Sequence, residues 1–209
     1  MMKKSGIILM MFGLLIGLSG CLGGTGRAPF IRQYVLEYPP PHKGGGPTVE
    51  ETVRVARFSA NHIYSGPDML HREGPFRREA YPENRWRVNP ADMVTELLRR
   101  DLREAGLFRA VLSPRDVGEV RYSLEGGVEE FLESGEGGER KAFLTATITL
   151  LDLSRTETAG LVVFQKTYAC ESTVSRKGAS GLAAAMSLAM SQLSQQVIAD
   201  IDSALRRHQ

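Results

Sequence analysis

The clearest hydrophobic pattern in the chain is an alternation. Ala142, Leu144, Ala146, Ile148 and Leu150 are apolar, and Thr145, Thr147 and Thr149 fall between them. A period of two with β-branched polar partners predicts a strand with one face buried. Val120, Tyr122 and Leu124 begin a similar run, which Gly126 and Gly127 interrupt before it resumes at 128–132, so a bulge or bend is expected there. Residues 133–140 are charged and glycine-containing and predict a hairpin loop. Residues 156–160 predict a turn, and 161–170 the returning strand. These three strands predict an antiparallel meander.

Upstream, 31–38 is a short β-prone run stopped by Pro39, Pro40 and Pro41. Residues 42–48, with three consecutive glycines, predict a surface loop. Val53 and Val55 share one face of a second strand over 51–58, and 69–72 and 76–81 flank the turn-prone pair Gly74-Pro75 as a hairpin. Two helices have the opposite periodicity. Asn89, Pro90 and Asp92 form a start signal, Met93, Leu97, Leu98 and Leu102 recur at helical spacing, and Gly106 supplies the stop. A short extended piece follows at 107–111. Leu182, Met186, Met190, Leu193, Val197, Ile201 and Leu205 then mark a long amphipathic helix. Its stripe belongs on the sheet. The expected fold is α+β: a single antiparallel or mixed β-sheet packed against two principal helices.

The first twenty residues have neither period. Residues 6–20 carry no charge, follow Lys3 and Lys4, and are too short for a span that needs about 20 apolar residues. Basic start, apolar core and small residues predict a secretory signal. Leu18-Ser19-Gly20-Cys21 resembles the bacterial lipobox, which implies cleavage before Cys21 and covalent lipid on its sulfur and new amine. The expected organisation is a lipoprotein signal peptide at 1–20, a lipidated cysteine with a Gly-rich tether at 21–30, and one domain at 31–209. Leu22 stands where inner-membrane lipoproteins typically carry aspartate, so the expected place is the periplasmic face of the outer membrane, held by the lipid anchor.

Removing the signal also changes the charge. Lysines 3 and 4 leave with it, so the 26 basic residues fall to 24, equal to the 24 acidic ones. Nothing in that balance points to nucleic acid. With Cys21 lipidated, Cys170 has no partner for a disulfide and reads as a buried small hydrophobe. His42, His62, His71 and His208 are scattered, so neither a metal site nor any cofactor beyond the lipid on Cys21 is expected, and no nucleophile elbow or phosphate loop marks a catalytic residue.

One segment is unusual. Residues 71–87 hold five arginines and the only tryptophan. Arginine and tryptophan are enriched at interface hot spots, so Arg77, Arg78, Arg85 and Trp86, with nearby Tyr64, are candidate partner-binding residues. The competing expectation is a solvated hairpin whose arginines pair with Glu73, Glu79 and Glu83 while Trp86 packs under the first helix.

The order of these features resembles the ABC-type transport auxiliary lipoproteins: Tyr34-Val35-Leu36 soon after the lipidated cysteine, Tyr64, the hairpin ending in Trp86, the helix from Pro90 to Gly106, Leu107 to Val111, then Tyr122 to Gly126 and the closing helix. The Gly44-Gly45-Gly46 insertion and Ser65-Gly66-Pro67 depart from it. The resemblance implies a non-enzymatic outer-membrane lipoprotein of a mammalian-cell-entry-type lipid transport system. Its partners would be the periplasmic mammalian-cell-entry-domain tunnel protein and its ABC transporter, and association with further copies of the chain stays open. An envelope-assembly lipoprotein bracing a β-barrel, a periplasmic lipid carrier with its pocket under Met186 and Met190, and a lipoprotein hydrolase are the other classes in view.

Overall fold

A computed structural model describes residues 30–41, 48–135, 138–155 and 161–207. Cys21, the tether, residues 42–47, His208 and the turn expected at 156–160 lie outside the described residues. Nine strands form one curled mixed sheet. In chain order they are β1 (Arg32–Tyr34), β2 (Val49–Val55), β3 (Ser59–Ala60), β4 (Asp68–Arg72), β5 (Arg78–Trp86), β6 (Phe108–Leu112), β7 (Tyr122–Ser134), β8 (Lys141–Asp152) and β9 (Val162–Thr173). Helix α1 (Pro90–Ala105) lies between β5 and β6, and α2 (Ala179–Arg207) closes the chain.

Strand β7 organises the sheet. One edge pairs antiparallel with β8 over its whole length, and β8 pairs antiparallel with β9, which is the expected meander. The other edge receives three short strands in turn, all parallel: β2 at Tyr122–Leu124, β3 at Gly127–Val128 and β4 at Leu132–Ser134. The chain thus walks once along β7, leaving the sheet between stops. At the first stop β6 joins beside β2; at the last, β5 turns back antiparallel to β4 and accepts β1 in parallel on its outer edge.

The predicted faces are the observed ones. Ala142, Leu144, Ala146, Ile148 and Leu150 are fully buried, as is the α2 stripe from Leu182 to Ile201, and both belong to one continuous core. Met186 and Met190 are inside it. Helix α1 begins as its sequence dictates: the Asn89 side chain accepts from the Asp92 N–H at 2.9 Å, and Gly106 ends it with φ 63°.

Two local expectations differ. The run at 31–38 is a strand only over three residues, because the chain then leaves β5 and packs Leu36 and Tyr38 into the core. Strand β7 continues through Gly126-Gly127, and its register shift lies later, between Val128 and Glu130. The glycine serves packing instead: a Cβ on Gly126 would stand 2.5 Å from the Phe58 ring.

Candidate functional site

The hairpin that joins β4 to β5 has a rigid turn. Gly74 takes φ 82°, a conformation open to glycine at little cost. The Glu73 N–H donates to the Arg77 carbonyl at 3.2 Å. Arg78 folds back over the turn, donating from Nη1 to the carbonyls of Gly74, Pro75 and Arg77 at 3.3, 3.4 and 3.1 Å. Arg77 pairs with Glu73 at 3.6 Å and with Glu79, and His71 sits between these two carboxylates, 3.9 Å from each. His71, Glu73 and Glu79 bring three donor atoms within 4.8 Å of one another, a spacing a metal ion could use. The Arg77 guanidinium already supplies the positive charge between the carboxylates.

Beneath the turn the polar groups are equally occupied. The Tyr81 hydroxyl donates to Glu133 Oε2 at 2.8 Å and accepts from Arg140 Nη2 at 2.5 Å, and Arg140 also pairs with Glu133. Burial, with the hydrogen bond to Glu133, pushes the Tyr81 hydroxyl up to about 12. Arg72 donates to Ser134 Oγ at 3.1 Å and lies over the Phe143 ring.

The five candidate residues therefore separate. Tyr64 and Trp86 are buried; Trp86 is 1% exposed and meets Phe131 edge-on at 5.3 Å. Their place is in the core, where they hold the hairpin's base. Arg78 caps the turn. Arg77 and Arg85 reach the surface, Arg77 in the pairs above and Arg85 with Asp68 at 3.3 Å. The most exposed large hydrophobic side chain of the segment is one the arginine-centred reading passed over: Phe76, 99% exposed at the tip.

A second feature lies beyond the other end of β1. Pro39, Pro40 and Pro41 face α2 across a groove of about 520 Å³, lined also by Leu107, Ser191, Gln195, Ile198, Ala199 and Asp202. The helix residues recur at three- and four-residue spacing, so they form one face. Proline fixes its own φ, which makes the opposite wall stiff. The groove is anchored from below by Tyr38, whose hydroxyl donates to Asp101 Oδ2 at 2.5 Å. Asp101 is fully buried, and Arg100 donates to its other oxygen at 2.8 Å while lying 4.5 Å over the Tyr38 ring. Burial first, then the bond to Asp101, raises the Tyr38 hydroxyl well above its ordinary value. The prolines were legible in the sequence as a stop; their pairing with α2 was not.

Cys170 is buried and accepts from Gln196 Nε2 at 3.6 Å. Burial pushes its thiol up, which keeps it protonated and unreactive. Among the described residues no helix is long and apolar enough to cross a membrane.

Similar folds are known. Protein XCC0632 from Xanthomonas campestris, a DUF330 protein, superposes with a TM-score of 0.75 at 21% identity, covering 85% of this chain and 98% of that one. An uncharacterised protein gives 0.64 at 12% identity over 81% and 97% of the two chains. Hypothetical protein CT253 from Chlamydia trachomatis gives 0.51 at 9% identity over 75% and 98%. At these identities the likeness is one of fold. No curated protein matches the sequence. The family described as the ABC-type transport auxiliary lipoprotein component matches residues 34–198, from β1 through most of α2. This chain belongs to the ABC-type transport auxiliary lipoprotein family.

Proposed function

We propose that the protein is a non-catalytic, lipid-anchored adaptor on the periplasmic face of the outer membrane. It serves a mammalian-cell-entry-type lipid transport system and docks the far end of that system's periplasmic tunnel protein. The observation that carries this reading is the family match over 34–198, on a chain whose Leu18–Cys21 segment resembles a lipobox. The covalent lipid on Cys21 supplies attachment, because one acyl chain holds only marginally whereas several together hold firmly.

The groove between Pro39–Pro41 and α2 is the docking surface in this reading. Its walls are stiff and largely apolar, which lowers the ordering cost of binding. The prolines of its wall follow β1 in the chain, whereas Cys21 precedes it. The hairpin arginines suit the role less well, since each has an internal partner.

Cell fractionation and co-purification test the proposal together. The wild-type chain is expected in the outer membrane with acylated Cys21, and to co-purify with a mammalian-cell-entry-domain protein. Cys21→Ser is expected to lose outer-membrane attachment and transport function. Outer-membrane fractionation of Cys21→Ser equal to wild type would contradict the anchor, and co-purification with a β-barrel alone would replace docking by a bracing role.

A further inference from the structure

The hairpin tip holds an aromatic side chain outward with nothing to pack on. Phe76 is 99% exposed, although a phenyl ring is among the groups that gain most from leaving water. The turn is not slack. The Glu73–Arg77 backbone bond and the three carbonyls gripped by Arg78 fix its shape, so the ring is presented rather than merely uncovered.

The direction of the strands says what it is presented to. Strand β1 pairs in parallel with β5, Arg32 beside Asn84 and Tyr34 beside Trp86. Strand β5 runs away from the tip, so β1 does too, and the chain comes into the fold from the tip's side. Gln33 is level with Arg85, which pairs with Asp68. From Asp68 to Arg72 at the hairpin's last pair is four residues of β4, about 13 Å at ~3.3 Å per residue. Cys21 precedes Ile31 by ten residues, a reach of at most about 36 Å. The chain thus enters β1 heading away from the tip, and the tip is within the distance that ten residues before Ile31 can span.

We propose that Phe76 is a membrane-contact residue, seated at the headgroup–acyl boundary of the phospholipid bilayer that holds the lipid on Cys21. The inference rests on the reading of Cys21 as lipidated. Arg77 beside it is 66% exposed, and such a side chain can lay its stem along apolar surface while keeping its charge at the headgroups. A single ring adds little to the grip of several acyl chains, so its effect is on orientation.

The test places a reporter at the tip. Trp86, the only tryptophan, is buried and supplies a constant background. Full-length mature lipoprotein carrying Phe76→Trp is reconstituted into phosphatidylethanolamine–phosphatidylglycerol vesicles with ordinary or brominated acyl chains. The new tryptophan is expected to emit further to the blue on reconstitution and to be quenched by the brominated chains, while wild-type emission is not. Mass spectrometry of the same sample reads the acyl groups on Cys21. An acylated protein whose tip tryptophan stays water-exposed and unquenched overturns the proposal and leaves the anchor standing. Shielding that appears only when the tunnel protein is added assigns Phe76 to a protein contact and also overturns it. A Cys21 without acyl groups removes the anchor, and the proposal with it.

Discussion

The two ends of the β1 strand are finished in opposite ways. On the hairpin side nearly every charge is answered within the chain: Arg78 by the turn's own carbonyls, Arg77 by Glu73 and Glu79, Arg140 by Glu133. The apolar Phe76 is left uncovered at the tip. On the groove side Asp101 is buried with Tyr38 and Arg100, Asp202 pairs with Arg206 at the rim, and the rest of the walls is proline and the uncharged face of α2. A region dense in arginine is thus largely self-satisfied, and a region with little charge is concave. Charge density alone is a poor guide to where a partner binds, because exposed ion pairs contribute little and saturated ones have little left to give.

The largest losses are expected at the two buried supports. Trp86→Ala removes a ring that is 1% exposed against Phe131 and is expected to cost about 3–5 kcal/mol. Asp101→Ala strips the carboxylate from Tyr38 and Arg100 and should cost a similar amount, about 3–5 kcal/mol. Urea unfolding measures both; a loss below about 1 kcal/mol for Trp86→Ala would place that ring outside the core and restore it as a surface contact. Phe76→Ala, by contrast, should change stability by less than about 0.5 kcal/mol.

Gly126→Ala asks whether the break in the hydrophobic pattern is about packing. The added Cβ meets the Phe58 ring, so a loss of about 1–3 kcal/mol is expected. Recovery of that loss in a double variant with Phe58→Leu would confirm the cause.

Titration separates the ends more gently. The Tyr81 hydroxyl below the hairpin is raised in the folded state, so its share of stability is complete below pH 10 and is lost as pH climbs through about 12. Tyr38 is raised as well, by burial and then by Asp101, so its share also begins to fall once pH passes the ordinary tyrosine value of 10. Asp92 behaves in the opposite sense. The hydrogen bond from Arg57 holds it below its ordinary 3.8, so its contribution is present above that value and fades as pH falls through the lowered one. Tyr81→Phe should therefore flatten the alkaline limb of a stability–pH curve without moving the acid limb. Arg77→Ala is expected to cost no more than about 1 kcal/mol, because its pair with Glu73 is this exposed.

Much of this architecture was legible in the residues. The alternation at 142–150, the stripe on α2 and the Asn89 cap each encode one element, and all three are local signals. The hairpin was legible too, because Gly74-Pro75 is a turn signal whatever surrounds it. What escaped were relations between distant segments. Nothing near Pro39 announces that Ile198 faces it, and nothing near Gly126 announces Phe58. Trp86 shows the same limit: its composition fits an interface as well as a core, and only the position of Phe131 decides. Phe76 could have been noticed, since an aromatic directly after a Gly-Pro turn has few neighbours to pack on.

In the proposed role the protein docks its partner through the groove and not through the arginine-rich hairpin. Site-specific photo-crosslinking in cells tests it directly, with a photoreactive residue at Gln195 in the groove or at Arg85 on the hairpin. The Gln195 probe is expected to capture a mammalian-cell-entry-domain protein, and the Arg85 probe is not. Capture from Arg85 with none from Gln195 would contradict it.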